Sequence, residues 1–327
     1  MGKQFRFPAA RWDRERRGMT QRTADHWGAH SLCFSLPMAH VNIVGLSSNQ
    51  LDSLKESYPG FITEGAQTGV GRGIECTAFR LEQPIALPSG ALARDGQYTP
   101  LQIWQPDGLH LTGANFEARL ALNSQHASTS LGVARENDLS LANVIENFLR
   151  IVAAHQSLQQ GGLVLHSAGL VFDDQAYIFS GRSNAGKTTL TRKADRHGAR
   201  VLSDDINVLL PSHEGYLAHA VPFTGEFGRT LDHKGGQEAY PVKGIILLEQ
   251  GRKMATMKVK TSDAVATLLA GCPFVNTSAE TSPALFDAVI SLVTKLPVVR
   301  LVCTRNDSVG DIMDAVNESL ENDQEIM

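Results

Sequence analysis

Gly181-Arg182-Ser183-Asn184-Ala185-Gly186-Lys187-Thr188 matches the phosphate-loop (Walker A) pattern G-x-x-x-x-G-K-[ST] at every fixed position. The chemistry behind the pattern is direct. Glycines let the backbone turn tightly and aim successive N–H groups at a phosphate oxygen. The end of the following helix adds its partial positive charge. Lys187 supplies an ammonium for the β- and γ-phosphates, and Thr188 offers a hydroxyl to Mg²⁺. The run from Gly181 to Thr188, with Thr189 beside it, is the expected binding set for ATP. Asn184 stands where many such loops carry glycine, and asparagine is among the non-glycine residues most tolerant of positive φ.

The surroundings have the form the loop requires. Residues 163–172 and 175–180 read as strands joined by a turn at Asp173-Asp174, and the second strand feeds the loop. A helix is expected over 187–197, stopped by Gly198. A strand over 200–203 then leads into Asp204-Asp205. Phosphoryl transfer needs an acidic group near the metal, and often a second to take the proton of an attacking hydroxyl. Adjacent strand residues point to opposite sides, so a bend or bulge is needed if both aspartates face one site. His166, on the first strand, is a candidate to orient or tune a carboxylate. Further strands are expected near 206–210, 217–221, 242–248, 254–260 and 298–303, with helices near 262–270, 283–295 and 308–321.

Toward the N-terminus, Leu141, Val144, Ile145, Phe148, Leu149 and Val152 recur with helical period and predict a helix over 139–159. Asn137 or Asp138 can cap its start, and Gly161-Gly162 end it. Residues 31–136 read as a small β-rich domain. Strand-like runs lie at 31–45, 74–87, 101–104, 109–111 and 116–122, a Pro-Asp-Gly turn at 106–108, and a short helix at 49–58. Gly69, Gly71 and Gly73 lack dinucleotide-fingerprint spacing and read as loop. Residues 1–30 are charge-rich without apolar period, which predicts a loose arm. The expected division is 1–30 arm, 31–136 β-rich domain and 137–327 phosphate-loop domain.

The 327 residues are 42% hydrophobic and 20% charged with net charge −4, a globular composition that supplies no electrostatic argument for a nucleic-acid or anionic-membrane partner. Four cysteines stand far apart with no CxxC or Cys/His spacing, which fits a reducing compartment. No secretory run and no stretch long enough to span a bilayer occurs, so a soluble cytoplasmic protein is expected.

Leu165-His166-Ser167-Ala168-Gly169, the loop through Thr188, and Leu202-Ser203-Asp204-Asp205, in that order, resemble the HPr kinase/phosphorylase family over roughly residues 160–305. These are serine kinases whose nucleotide fold is similar to that of phosphoenolpyruvate carboxykinase. The resemblance implies an α/β, mixed-sheet phosphate-loop domain with Lys187 and Thr188 at ATP–Mg²⁺. One of Asp204 and Asp205 would be the general base toward a serine-type hydroxyl, and the other would lie near the metal, with Asp205 and Thr188 as its candidate ligands. His166 would sit beside the base. The sequence departs from the sensor kinases in having Thr188-Thr189 after the lysine where they have Ser then Glu. Pro222-Phe223-Thr224-Gly225-Glu226-Phe227-Gly228-Arg229 replaces their downstream glycine-rich signature, and the N-terminal half has no counterpart. The chain looks more like divergent relatives that phosphorylate a peptide or a small molecule. Residues 222–229 are a candidate substrate loop, with Glu226 as acid and Arg229 as phosphate contact. Two other readings are a nucleotide-binding regulatory module without transfer and a carboxykinase-like enzyme. The acceptor and the oligomeric state are left open.

Overall fold

The structure, a computed structural model, describes residues 25–63, 73–83, 85, 100–121, 126–134, 139–223, 225 and 238–324. Two mixed sheets and six helices occupy them.

The first sheet is built from eight strands. They are β1 (His30–Leu36), β2 (Ala39–Leu46), β3 (Ile62–Thr63), β4 (Gly73–Arg80), β5 (Leu101–Gln105), β6 (Gly108–Gly113), β7 (Phe116–Leu120) and β8 (His126–Val133), in the spatial order β3-β1-β2-β4-β8-β7-β6-β5. The β2–β4 and β4–β8 pairs are parallel and the rest antiparallel. Alternation explains β2, whose Ala39, Val41 and Ile43 are buried while His40, Asn42 and Val44 are partly exposed. Helix α1 (Ser48–Ser57) opens on a capping box: the Gln50 N–H donates to Ser47 Oγ and the Ser47 N–H to Gln50 Oε1.

Three expectations for this half change. Strands β3 and β8 lack a strong alternating pattern and were not individually expected. Gly73 opens β4 rather than lying in a loop, while Gly69 and Gly71 lie outside the described residues. In the stretch expected as a loose arm, the N–H groups of Trp27 and Gly28 both donate to the Gly45 carbonyl. The His26 ring also reaches Ala78 O at 2.9 Å, so residues 26–28 are tied to the sheet. Residues 1–24 and the caps Asn137 and Asp138 lie outside the described residues.

Helix α2 (Leu139–Gln159) follows, then β9 (Leu163–Phe172), β10 (Gln175–Ser180), α3 (Lys187–Arg196), β11 (Arg200–Ser203), β12 (Ile206–Ser212), β13 (Gly215–His219), β14 (Ala239–Gln250), β15 (Ala255–Lys258), α4 (Thr261–Ala270), α5 (Ser282–Lys295), β16 (Val298–Cys303) and α6 (Val309–Gln324). The second sheet runs β10-β9-β12-β13-β14-β16-β15, and β10 also pairs parallel with β14. Strands β9, β12, β13, β14 and β10 therefore close a hydrogen-bonded circuit, with the long β9 and β14 each changing partner along their length.

Two cores flank this sheet. Ala168, Leu170, Phe179 and Ile246 pack with Leu190 and Ala194 of α3 and Ile312 and Val316 of α6. On the other face Leu163, Val164 and Leu165 join Phe148 and Val152 of α2, Leu268 of α4 and Leu292 of α5 in one cluster. That cluster continues into Phe34, Val41, Ile43 and Leu111 of the first sheet. Helix α2 thus lies in the core between the sheets. Residues 151–158 are buried on every side, with the polar His155, Gln156 and Ser157 among them. Among the described residues no helix is long and apolar enough to cross a membrane.

Candidate functional site

Strand β10 ends at Ser180, the chain loops through 181–186, and α3 begins at Lys187. The loop conformation follows from its residues. Asn184 has φ 64° and Gly186 φ 104°, the first a value asparagine tolerates and the second one that favours glycine. A Cβ on Gly181 would stand 2.6 Å from Leu248 O and 2.9 Å from Ala185 Cβ, so glycine is what lets the loop lie against β14. Gln250 Nε2, from the end of β14, donates to Asn184 O at 2.7 Å and pins the loop tip. Gly186 is the N-cap of α3 and supplies no side-chain cap, so the first turn of that helix keeps its N–H groups uncapped. Arg182, Ser183 and Asn184 are exposed, and Thr188 and Gly186 half-buried. The Thr188 hydroxyl makes no hydrogen bond among the described residues, and Thr189 is exposed.

Lys187 is the unusual member. It is 7% exposed, and its Nζ donates to Gly181 O at 2.8 Å and Arg182 O at 3.3 Å. Among the described residues it has no carboxylate in contact. Burial holds its pKa below the ordinary lysine value, against the opposing pull of the Asp205 charge.

The aspartate pair sits at a break in one long edge. Strands β11 and β12 both run antiparallel to β9, from Arg200 opposite Val171 to Leu209 opposite Leu163. The register shifts between Val201 and Ser203, and pairing resumes at Ile206 opposite His166. The one-residue slip falls at Leu202, just before the aspartate pair. Ser203 locks it: its Oγ donates to Phe223 O at 3.0 Å and accepts from the N–H groups of Asp205 and Ile206, each at 3.2 Å. The Ser167 N–H donates to Asp205 O at 3.0 Å.

The two carboxylates go to different neighbours, as adjacent residues of an extended run do. Asp204 is 4% exposed, and its Oδ1 accepts from the Gly225 N–H at 2.9 Å. A Cβ at Gly225 would come within 2.5 Å of the same oxygen, so this close approach needs glycine. Asp205 Oδ1 is 3.0 Å from His166 Nδ1, and its Oδ2 is 3.1 Å from Arg150 Nη2. The same Arg150 Nη2 also holds Glu146 Oε1, one turn back on α2. Burial pushes the Asp205 carboxyl up, but the His166 hydrogen bond and the charges of Arg150, His166 and Lys187 together bring it below the usual carboxylate range. The His166 backbone is itself anchored, its amide N–H donating to Gly271 O at 2.8 Å.

The structure therefore brings His166, Asp205 and the Lys187 loop into one electrostatic neighbourhood, while Asp204 accepts from Gly225. Of the candidate substrate loop, Pro222, Phe223 and Gly225 are described; Glu226 and Arg229 lie outside the described residues. Sequence reasoning missed Arg150, Glu146, Ser203, Asn207 and Gln250. Asn207 Nδ2 donates to Ser167 O at 2.8 Å and Ser167 Oγ at 3.0 Å, tying β12 to β9 beside the bulge. The signal for Arg150 was present: Glu146 and Arg150, spaced i and i+4, are the acidic and basic side chains of α2.

Fold and site together define a mixed α/β protein in which a glycine-bounded strand–loop–helix turn lies near a partly buried histidine–carboxylate–arginine set. The chain belongs to the family described as SynChlorMet cassette protein ScmC, whose model matches residues 130–318. No curated protein matches it. Among solved structures it is similar to the Hpr(Ser) kinase/phosphatase from Coxiella burnetii, at 10% identity and a TM-score of 0.28, over 47% of this chain and 94% of that one. So slight an overlap leaves the functional argument to the geometry of the site.

Proposed function

We propose that the protein is an ATP- and magnesium-dependent kinase that transfers the γ-phosphate to a serine-type hydroxyl of a peptide, protein or small molecule. The observation that carries this reading is Lys187. It is a buried ammonium whose contacts are carbonyls of its own loop, at a helix start with uncapped N–H groups, beside the Arg150–Asp205–His166 set. A buried cation and a row of free amides make a receptor for phosphate.

In this reading Lys187 and the 181–186 backbone hold the nucleotide's phosphates. The Asp205–His166 pair receives the proton as the acceptor's O–H bond breaks, the new O–P bond forms, and the bond to the ADP oxygen breaks. Magnesium in kinase sites needs only one or two protein oxygens, the rest coming from phosphate and water. The unengaged Thr188 hydroxyl and a carboxylate of the aspartate pair fit that modest demand. A bound ion would supply neutralisation of phosphate charge. Asp204, held by Gly225, would lie on the acceptor side. Residues 31–136 and 137–327 are taken as the two domains, with the cytoplasm as the compartment.

The test is incubation of the purified chain with labelled ATP and candidate acceptors. The family's description as a cassette protein directs the search to products of neighbouring genes. Lys187→Ala is expected to lower transfer by at least about 10³-fold, and Asp205→Ala by about 10²–10⁴-fold. Transfer that survives Lys187→Ala would sink the proposal.

A second reading is a nucleotide-dependent regulatory module without transfer. It is favoured by α2, which touches the first sheet through His155 and Gln102 and the site through Arg150 and Asp205. Calorimetric ATP binding with no phosphorylated product from any acceptor would select it.

A further inference from the structure

An aspartate carboxylate has two rotatable bonds and no backbone reason to face one partner. Asp205 nevertheless has each oxygen engaged, one by His166 and the other by Arg150. These partners come from different elements: His166 from β9, and Arg150 from α2, which packs on the sheet from the other core. His166 cannot hold Asp205 alone, because one ring nitrogen can meet one oxygen and leaves rotation about that contact free. Arg150 Nη2 closes the arrangement by meeting the second oxygen, and it is steadied by Glu146 on its own helix.

The consequence reaches the imidazole. A carboxylate on Nδ1 fixes the tautomer with the proton on that nitrogen, which leaves the Nε2 lone pair as the acceptor. Nε2 makes no hydrogen bond among the described residues.

We propose that Arg150 is the positioning residue of this site, that it fixes the Asp205 carboxylate and through it the tautomer and direction of His166, and that Glu146 holds Arg150 in that pose. The kinetic half of this inference rests on the proposed phosphotransfer; the structural half does not. Lysine at position 150 would keep the charge but lose the planar guanidinium that lets Nη2 serve both Glu146 and Asp205.

The experiment uses the full chain in two arms. In the first, proton and nitrogen NMR follows the low-field Nδ1–H of His166, assigned by its loss in His166→Gln and Asp205→Asn. We expect Arg150→Met to shift or broaden that resonance, Arg150→Lys to leave an intermediate spectrum, and Glu146→Gln to change it less. In the second arm, with labelled ATP and the acceptor found above, Arg150→Met is expected to lower kcat by about 10²-fold with the KM for ATP within about threefold. Free guanidinium added to Arg150→Ala should restore part of that loss, which a merely structural role would not permit. A wild-type His166 resonance in Arg150→Met and Arg150→Lys overturns the proposal, whatever becomes of the kinase reading. A loss of activity confined to the KM for ATP, or one with no guanidinium rescue, overturns its kinetic half. If no acceptor is phosphorylated by the wild-type chain, the kinase reading fails, and the NMR arm still decides the role of Arg150.

Discussion

At the scale of residues, the loop shows how a local rule and its exception coexist. Gly186 occupies φ 104°, a conformation that L side chains rarely adopt, while Asn184 at φ 64° lies in the left-handed region asparagine visits. The two positions should therefore respond oppositely. Gly186→Ala is expected to cost about 1–2 kcal/mol of stability and to weaken ATP binding about tenfold or more, because the start of α3 must shift. Asn184→Gly should leave ATP affinity within about threefold, since the Gln250 bond uses the backbone carbonyl of residue 184 and not its side chain. Denaturant melts with nucleotide titrations check both; a Gly186→Ala chain that binds as wild type removes the strain argument. The loop was legible because its pattern encodes backbone conformation. The engagement of Lys187 by Gly181 O and Arg182 O, and the split of Asp204 from Asp205, were not. The first is local but turns on where a long side chain folds back within its own loop, and the second depends on residues distant in sequence, Gly225 on Asp204 and Arg150 on Asp205.

At the scale of elements, the readable parts were those whose periodicity stands alone. Helix α2 and strands β9 and β10 follow their apolar patterns to the residue, because each is buried and bounded by turns. The Val201–Ser203 register shift was required only conditionally, and its lock by Ser203 is tertiary. Helix α2 also carries a polar residue that the apolar pattern hides. His155 is 3% exposed, its Nε2 is 3.3 Å from Gln102 Oε1 of β5, and its ring stands edge-on to Trp104. Burial depresses its pKa from 6.5 to about 4. Between those values the unfolded chain binds a proton that the folded chain refuses. Its contribution to stability is therefore complete above about pH 6.5 and is lost as pH falls toward about 4, reaching about 2 kcal/mol lost at pH 5. Urea midpoints at pH 7.5 and pH 5 should fall less steeply for His155→Gln than for the wild type. Equal slopes would show that the ring is protonated without cost.

At the scale of the molecule, the first sheet has no counterpart in the resemblance drawn from the second, yet the two are not packed as strangers. One apolar cluster runs from Phe34, Val41 and Leu111 through Phe148 and Val152 to Leu163 and Leu165. Tyr58 Oη donates to Ala142 O at 2.7 Å, and Gln160 Nε2 to Met38 O at 2.8 Å, across the same seam. A division near residue 137 is thus a division of topology, since the core is shared through α2. Two units that share a core should melt together. All three tryptophans, Trp12, Trp27 and Trp104, precede residue 137, so their fluorescence reports the N-terminal half, while far-UV circular dichroism is dominated by helices that mostly follow it. The two signals should give one coincident urea transition. Phe148 is fully buried at the centre of the seam, and Phe148→Ala is expected to destabilise the chain by about 3–5 kcal/mol. Because the loss falls on both sheets, it should displace the fluorescence and dichroism curves equally. If the variant moved only the dichroism curve, the sheets would be independent units, and α2 could not carry a signal from the first sheet to Arg150.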